Sequence, residues 1–269
     1  MPLRISTWNV NSIRRRLDGL ARLVRAVGPD VICLQETKVI DELFPRGAVE
    51  DLGYPHILAH GMKGYNGVAI LSRLPLADGA TRSWCGKDDC RHVYASVAAD
   101  GMEPVELHNL YIPAGGDVPN AATNPKFAHK LDFLTALARW WRVRHRTRPR
   151  MVALGDFNVA PLETDVWSHQ RLKSVVTHTP VEIDHLERAM KAGRWIDAVR
   201  HFVPPSAPLY TWWSYRTPDW RNADKGRRLD HIWVTAALEP ELTDASVLRH
   251  ARGWQPPSDH VPVTVTLAR

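Results

Sequence analysis

Met151-Val152-Ala153-Leu154-Gly155-Asp156-Phe157-Asn158 is the stretch on which the reading of the chain turns. Four apolar residues read as a short strand buried on both faces, and Gly155 lets the backbone turn after it. Side chains at i and i+2 of an extended segment point the same way. Asp156 and Asn158 therefore face one spot, while Phe157 turns back into the core. A buried strand that delivers a carboxylate and an amide to one place reads as a site. An Asp/Asn turn capping the strand is the competing reading, and residues elsewhere have to separate the two.

A helix leads into this strand. Asn124-Pro125 supplies an N-cap and a first-turn proline, and Phe127, Leu131, Leu134, Leu137, Ala138 and Trp141 form its apolar face ahead of Pro149. The same order occurs earlier. Leu3–Asn9 alternates as a strand, and Leu17, Leu20, Ala21, Val24 and Val27 mark one helix face. Gly28-Pro29 ends that helix, and Val31-Ile32-Cys33-Leu34 is a buried strand running into Gln35-Glu36. These units, 13–36 and 125–156, place Glu36 and Asp156 at equivalent strand ends, so two roughly symmetric halves are expected to meet at the acids. Further strands are predicted at 55–60, 67–72, 92–98, 105–112, 209–213, 229–234, 243–248 and 261–267. Short helices are predicted over Asp184–Lys191 and 195–202. Many strands with few helices predict an α/β fold, a four-layered sandwich of two packed, mainly antiparallel sheets with helices on the outer faces. No low-complexity linker divides the 269 residues, which predicts a single domain over 1–269.

The net charge of +6 and the pI of about 9.4 favour a polyanionic partner. Cys33, Cys85 and Cys90 show no metal-finger or CxxC spacing, and a sparse, odd count suits a reducing compartment. The first residues read as a strand rather than a signal segment, and no apolar run approaches membrane-spanning length. The expectation is a cytoplasmic protein with no membrane partner.

Five segments share one trait, an apolar strand ending in groups suited to metal or phosphate chemistry. They are Asn9, Glu36, Asp156 with Asn158, Arg228-Leu229-Asp230-His231, and Ser258-Asp259-His260. Each alone reads equally well as a strand-end turn or a surface acid; five together do not. Oxygen donors dominate, which fits Mg²⁺ better than zinc and points to metal-assisted attack on a phosphate ester. Asp230 is placed to orient an imidazole at His260, as the third group of a triad does.

Trp8-Asn9-Val10-Asn11, Leu34-Gln35-Glu36-Thr37-Lys38, Gly67-Val68-Ala69-Ile70-Leu71-Ser72, Asn109-Leu110-Tyr111-Ile112-Pro113, Gly155-Asp156-Phe157-Asn158, Arg228-Leu229-Asp230 and Ser258-Asp259-His260 occur in this order. With them the chain resembles the bacterial exonuclease III / apurinic-apyrimidinic endonuclease family of the endonuclease/exonuclease/phosphatase superfamily. The resemblance implies a Mg²⁺-dependent DNA repair nuclease, with Mn²⁺ as a substitute ion, acting as a monomer on double-stranded DNA. It would cut 5′ to abasic sites, trim blocked 3′ ends and degrade 3′→5′. Glu36 would be the main metal ligand, with Asn9 and Asp259 beside it. Asp156 would activate the attacking water and Asn158 would hold it. His260, oriented by Asp230, would bind the scissile phosphate, and Tyr111 would donate to the phosphate or leaving oxygen. A second ion would fall to Asp156, Asn158 and His260. One departure is visible at Ala114-Gly115-Gly116, where relatives often carry an amide side chain.

The basic run Arg142–Arg150 precedes the strand whose far end carries Asp156, about 20 Å away at ~3.3 Å per residue, so it reads as a solvated helix end. Arg14, Lys38, Lys63, Arg91, Arg216 and Arg227 emerge nearer the strand ends and are the candidates for contacting DNA phosphates. Within Tyr210–Arg216, Trp212 is the candidate wall of a pocket for a flipped baseless sugar, and Trp213 is assigned to the core. Two alternatives stay open: a phosphatase of the superfamily acting on inositol phosphates or lipid headgroups, and a non-catalytic nucleic-acid-binding regulator. Basic charge and the aromatic stretch weigh against the first, and the full set of reactive residues weighs against the second.

Overall fold

The structure is a computed structural model describing residues 2–98, 101 and 103–268. Its strands are β1 (Leu3–Asn9), β2 (Val31–Gln35), β3 (His56–Met62), β4 (Tyr65–Ser72), β5 (Leu76–Thr81), β6 (His92–Val97) and β7 (Val105–Tyr111) in the first half. They continue as β8 (Met151–Asp156), β9 (Trp195–Asp197), β10 (Trp212–Trp213), β11 (Gly226–Arg227), β12 (Asp230–Thr235), β13 (Leu242–Val247) and β14 (Val263–Leu267). The helices that matter most are α1 (Leu17–Val27), α2 (Arg46–Glu50), α3 (Pro125–Thr147), α4 (His169–Leu172) and α5 (Pro180–Gly193).

Two six-stranded sheets form, in the orders β13-β14-β1-β2-β4-β3 and β5-β6-β7-β8-β12-β9. In each, the third and fourth strands are parallel and joined through a helix, while their neighbours run antiparallel. The expected pseudo-symmetry is therefore present in the pairing itself. Asn9 lies beside Gln35 at the end of one parallel pair, and Tyr111 lies beside Asp156 at the end of the other.

Alternation within the strands explains the layers. Ile5, Cys33, Leu107, Val152, Leu154 and Ile232 face the opposite sheet in one continuous core. Ala153 and Trp233 face outward onto α3 and α5, where Phe133, Leu137 and Trp141 are buried. Leu20 and Leu23 of α1 cover Ile32 and Leu34 on the other outer face. Thr179 and Glu182 form a capping box that starts α5, which is longer than its apolar pattern predicts.

Following the inward positions toward one end of the sandwich, the residues turn polar. Ile5 gives way to Thr7 and Asn9, Cys33 to Gln35, Leu107 to Asn109 and Tyr111, Leu154 to Asp156. Gln35 Nε2 donates to Thr7 Oγ1 (2.9 Å) and Asn109 Oδ1 (2.7 Å), and Asn109 Nδ2 reaches the Leu34 and Ala69 carbonyls of the facing sheet. This buried polar belt is the floor beneath the acids.

The segment 195–202 is not a helix. Trp195–Asp197 pairs with β12 as an edge strand, because Trp195 packs on Trp141 and Ile196 joins the inter-sheet core. A strand at Leu76–Thr81 was not expected, since Ala-Asp-Gly-Ala is a poor β sequence tolerated at a sheet edge. Gly155 has a reason beyond turning: it lies inside β8 with φ 136°, and a Cβ there would sit 1.9 Å from the Leu110 carbonyl oxygen.

Candidate active site

The polar ends of both parallel pairs open into one site. Asn9 is fully buried, and its Nδ2 donates to Glu36 Oε1 and to Asp156 Oδ2, both at 2.9 Å. Its Oδ1 accepts the Asn11 backbone N–H at 3.1 Å. The Asn9 amide thus bridges Glu36 and Asp156. It spaces two carboxylates that would otherwise repel each other. Tyr111 hydroxyl donates to Glu36 Oε1 at 2.9 Å, and Lys38 Nζ lies 2.8 Å from Glu36 Oε2. Glu36 and Lys38 hold left-handed backbones (φ 53° and 54°), a conformation non-glycine residues adopt when the surroundings impose it. The Thr37 and Lys38 amides are tied to the Gly67 and Asn66 carbonyls at 3.1 and 2.9 Å, which sets that loop.

The second centre is Asp156, Asp230 and His260, whose ligand atoms lie within 4.8 Å of one another. Asp156 and Asp230 face each other across β8 and β12. His260 Nδ1 is 2.8 Å from Asp230 Oδ2, and His260 Nε2 is 3.6 Å from Asp156 Oδ2. Thr211 Oγ1 donates to Asp230 Oδ2 at 2.6 Å and accepts the backbone N–H groups of Leu229 and Asp230. Beyond the strand end, Asn158 (φ 53°) donates its backbone N–H to Asp156 Oδ1 at 2.9 Å. Asp156 therefore caps the turn with one oxygen while its other oxygen meets Asn9. Asn158 Nδ2 is fixed on the Ile112 carbonyl (2.9 Å), and the buried Lys130 ammonium binds the Asn158 carbonyl (2.7 Å) and the Glu182 carboxylate.

Charge follows from these contacts. Burial works to raise the Glu36 carboxyl, but hydrogen bonds from Asn9 and Lys38 and the charges of Lys38 and His260 outweigh it and hold the group low. Asp156 is pushed up to about 7 by burial, with His260 opposing and Asp230 reinforcing the rise. Burial alone would lower His260; Asp230 and Asp156 instead carry it up to about 10, so it is an imidazolium at neutral pH. Burial and the Glu36 and Asp156 charges raise Tyr111 well above its ordinary value, which keeps it a neutral proton donor.

Asp259 stands apart, its carboxylate bound by Asn11 Nδ2 (3.3 Å) and Trp212 Nε1 (3.0 Å). Asn11 also accepts from Lys38 Nζ at 2.5 Å, so it links Asp259 to the Lys38–Glu36 pair. The site offers four carboxylates, one imidazole and no thiolate, with the buried Asp230 Oδ1 lacking a hydrogen-bond partner among the described residues. Such hard oxygen donors fit a hard divalent cation.

The DNA candidates divide. Trp212, Arg216 and Arg227 line one cleft of about 530 Å³ with Trp167, Thr177 and Lys225. The Arg227 guanidinium stacks 5.3 Å over the Trp212 ring. Arg14 and Lys63 are exposed and Lys38 is half-buried against Glu36. Arg91 is buried, paired with Asp89 and stacked 4.8 Å over the Tyr111 ring, so it supports Tyr111. Trp213 is core, as assigned. Arg144 and Arg150 of the basic run are paired with Glu106 and Glu241. Sequence reading assigned no role to Asn11, Thr211 or Lys130. Asn11 sat inside a recognised motif and was open to notice; Thr211 and Lys130 carry no local signal.

The family model for the endonuclease/exonuclease/phosphatase family matches residues 6–260. The chain belongs to this family. Exodeoxyribonuclease III of Haemophilus influenzae is 28% identical over 97% of this chain and 98% of its own length. The structure of the 3′ phosphatase NExo from Neisseria, bound to product DNA hairpin, has a TM-score of 0.89 at 30% identity, covering 99% of this chain and 100% of that one. An AP endonuclease from Archaeoglobus fulgidus has a TM-score of 0.88 at 30% identity, covering 98% and 99%. Among the described residues no helix is long and apolar enough to cross a membrane.

Proposed function

We propose that this chain is a Mg²⁺-dependent DNA repair nuclease that hydrolyses phosphodiesters in double-stranded DNA, nicking 5′ to abasic sites and clearing blocked 3′ ends. It works as a monomer, and 3′→5′ degradation from duplex ends is a further activity of the same site. The observation that carries this reading is the convergence of Tyr111, Asp156 and Asp230 from one sheet with Glu36 and His260 from the other.

Each residue has a task its surroundings support. His260, held protonated by Asp230, presents positive charge to the scissile phosphate. Asp156 takes the proton of the attacking water, which Asn158 helps to position. Tyr111, neutral and braced by Arg91, donates to the phosphate or the departing oxygen. Glu36 would hold the Mg²⁺, with Asp259 linked to it through Asn11 and Lys38 and Asn9 aligning the acids. When bound, the ion supplies Lewis-acid stabilisation of phosphoryl charge. Trp212 and Arg227 form one wall of the cleft that takes the baseless sugar, while Arg216 and Lys225 meet the backbone.

A labelled duplex with a single abasic site tests the reading. A nick on the 5′ side is expected with Mg²⁺, none after chelation, and a loss of at least about 10³-fold in Asp156→Asn. Metal-independent cleavage, or full activity in the variant, overturns it.

A further inference from the structure

Outside the phosphodiester centre, an imidazole, a carboxylate and a thiol converge. His60 lies on β3 of one sheet, and Asp88 and Cys90 lie in the connection between β5 and β6 of the other. One ligand atom from each falls within 4.8 Å of the other two. His60 Nε2 is 3.6 Å from Asp88 Oδ1, longer than a hydrogen bond between nitrogen and oxygen. Two donors at about 2.0–2.1 Å from a tetrahedral ion lie roughly 3.4 Å apart, so the observed gap is close to the one a zinc ion spans.

The backbone around these groups is already fixed. The Cys90 carbonyl accepts the Gly67 N–H at 3.2 Å, and Asn66 Nδ2 holds the Asp89 carbonyl at 2.8 Å. Asp88 is largely exposed, with its side chain 77% accessible, and gives an ion a way in. Asp88, Asp41 and Asp89 surround Cys90 with negative charge, opposed by Arg91. Negative charge around the three groups attracts a cation, and a bound cation stabilises a thiolate.

We propose that His60, Asp88 and Cys90 form a Zn²⁺ site, separate from the phosphodiester centre, which pins the 82–91 connection to β3. A mixed N, O and S donor set suits zinc and does not suit Mg²⁺, which avoids thiolates. Three protein ligands leave a fourth position for water, and binding releases the thiol proton to solvent. Arg91 follows Cys90 directly and stacks on Tyr111, so the clamp steadies one wall of the active site from outside it.

The test uses the full chain, stripped of metal, saturated with Mg²⁺ and titrated with Co²⁺. One equivalent is expected to give sulfur-to-cobalt charge-transfer absorption in the near ultraviolet, displaced stoichiometrically by Zn²⁺. Cys90→Ser abolishes the band and Cys85→Ser keeps it. His60→Gln and the surface substitution Asp88→Asn each weaken Co²⁺ binding about tenfold or more, with circular dichroism unchanged for Asp88→Asn. Absence of the band in the unmodified chain, its survival in Cys90→Ser, or unaltered affinity in Asp88→Asn overturns the proposal.

Discussion

His260 stands between two carboxylates at unequal distances, Nδ1 at 2.8 Å from Asp230 and Nε2 at 3.6 Å from Asp156. The first is a hydrogen bond and the second is longer than one, so Asp230 orients the ring while Nε2 is left facing the site. Asp230→Asn keeps the shape and removes the charge that holds the imidazolium. Abasic-site nicking is expected to lose about 10²–10³-fold in kcat with a smaller change in KM. Steady-state kinetics on a defined duplex measure both, and an unchanged kcat refutes the role.

Tyr111 reaches Glu36 through its hydroxyl alone, while its ring is braced by Arg91. Tyr111→Phe preserves the packing and removes the donor. We expect kcat to fall about 10²-fold with the melting temperature close to that of the parent chain. A large thermal destabilisation without kinetic loss points instead to a structural hydroxyl.

Trp212 has two functions that substitution separates, since its ring lines the cleft and its Nε1 bonds Asp259. Trp212→Ala is expected to reduce cleavage at abasic sites more than it weakens Mg²⁺ binding measured by calorimetry. Trp212→Phe, which keeps an aromatic wall without the N–H, should recover part of the abasic-site activity. Equal losses of cleavage and ion binding count against a pocket wall.

Asn109 connects the sheets by donating to Leu34 and Ala69 carbonyls while accepting from Gln35. Asn109→Leu leaves those partners buried without a bond, which costs about 2–4 kcal/mol in total. Urea denaturation reads this directly; a neutral result means that the belt is dispensable.

His231 is buried, stacked on Phe157, and pulled down to about 3 by burial and the Arg228 charge. A histidine whose folded pKa lies below its unfolded value binds protons more readily when unfolded. Its stabilising contribution is complete above about pH 6.5 and is lost as pH falls from there toward 3. His92, also lowered by burial, acts in the same direction. Melting temperatures should therefore decline through that window, and His231→Phe should flatten the decline while lowering stability at neutral pH. An equally steep decline in the variant excludes His231 as a source.

The two-sheet architecture and its repeated helix–strand–acid unit were legible because strand alternation and helix periodicity are local properties of residues a few positions apart. Glu36, Asp156, Asp230 and His260 stood at strand ends for the same reason. Segment 195–202 misled because Trp195 and Ile196 answer to partners on α3 and in the facing sheet, not to their neighbours in sequence. The stacking of Arg91 on Tyr111 was not legible, because a basic residue at a strand end looks the same whether it meets solvent or an aromatic ring.

The residue types at the site were a matter of sequence; what each one faces was decided by tertiary structure. Asp156 ends its strand by local pattern, but its charge depends on an amide 147 residues away at Asn9 and on His260 across the sandwich. The stretch 151–158 determines that a carboxylate is delivered to a buried end. Whether that carboxylate can serve as a base depends on desolvation and on neighbouring charges. Those arise only when the two sheets close, because electrostatic interaction acts through space and low-dielectric surroundings rather than along the chain.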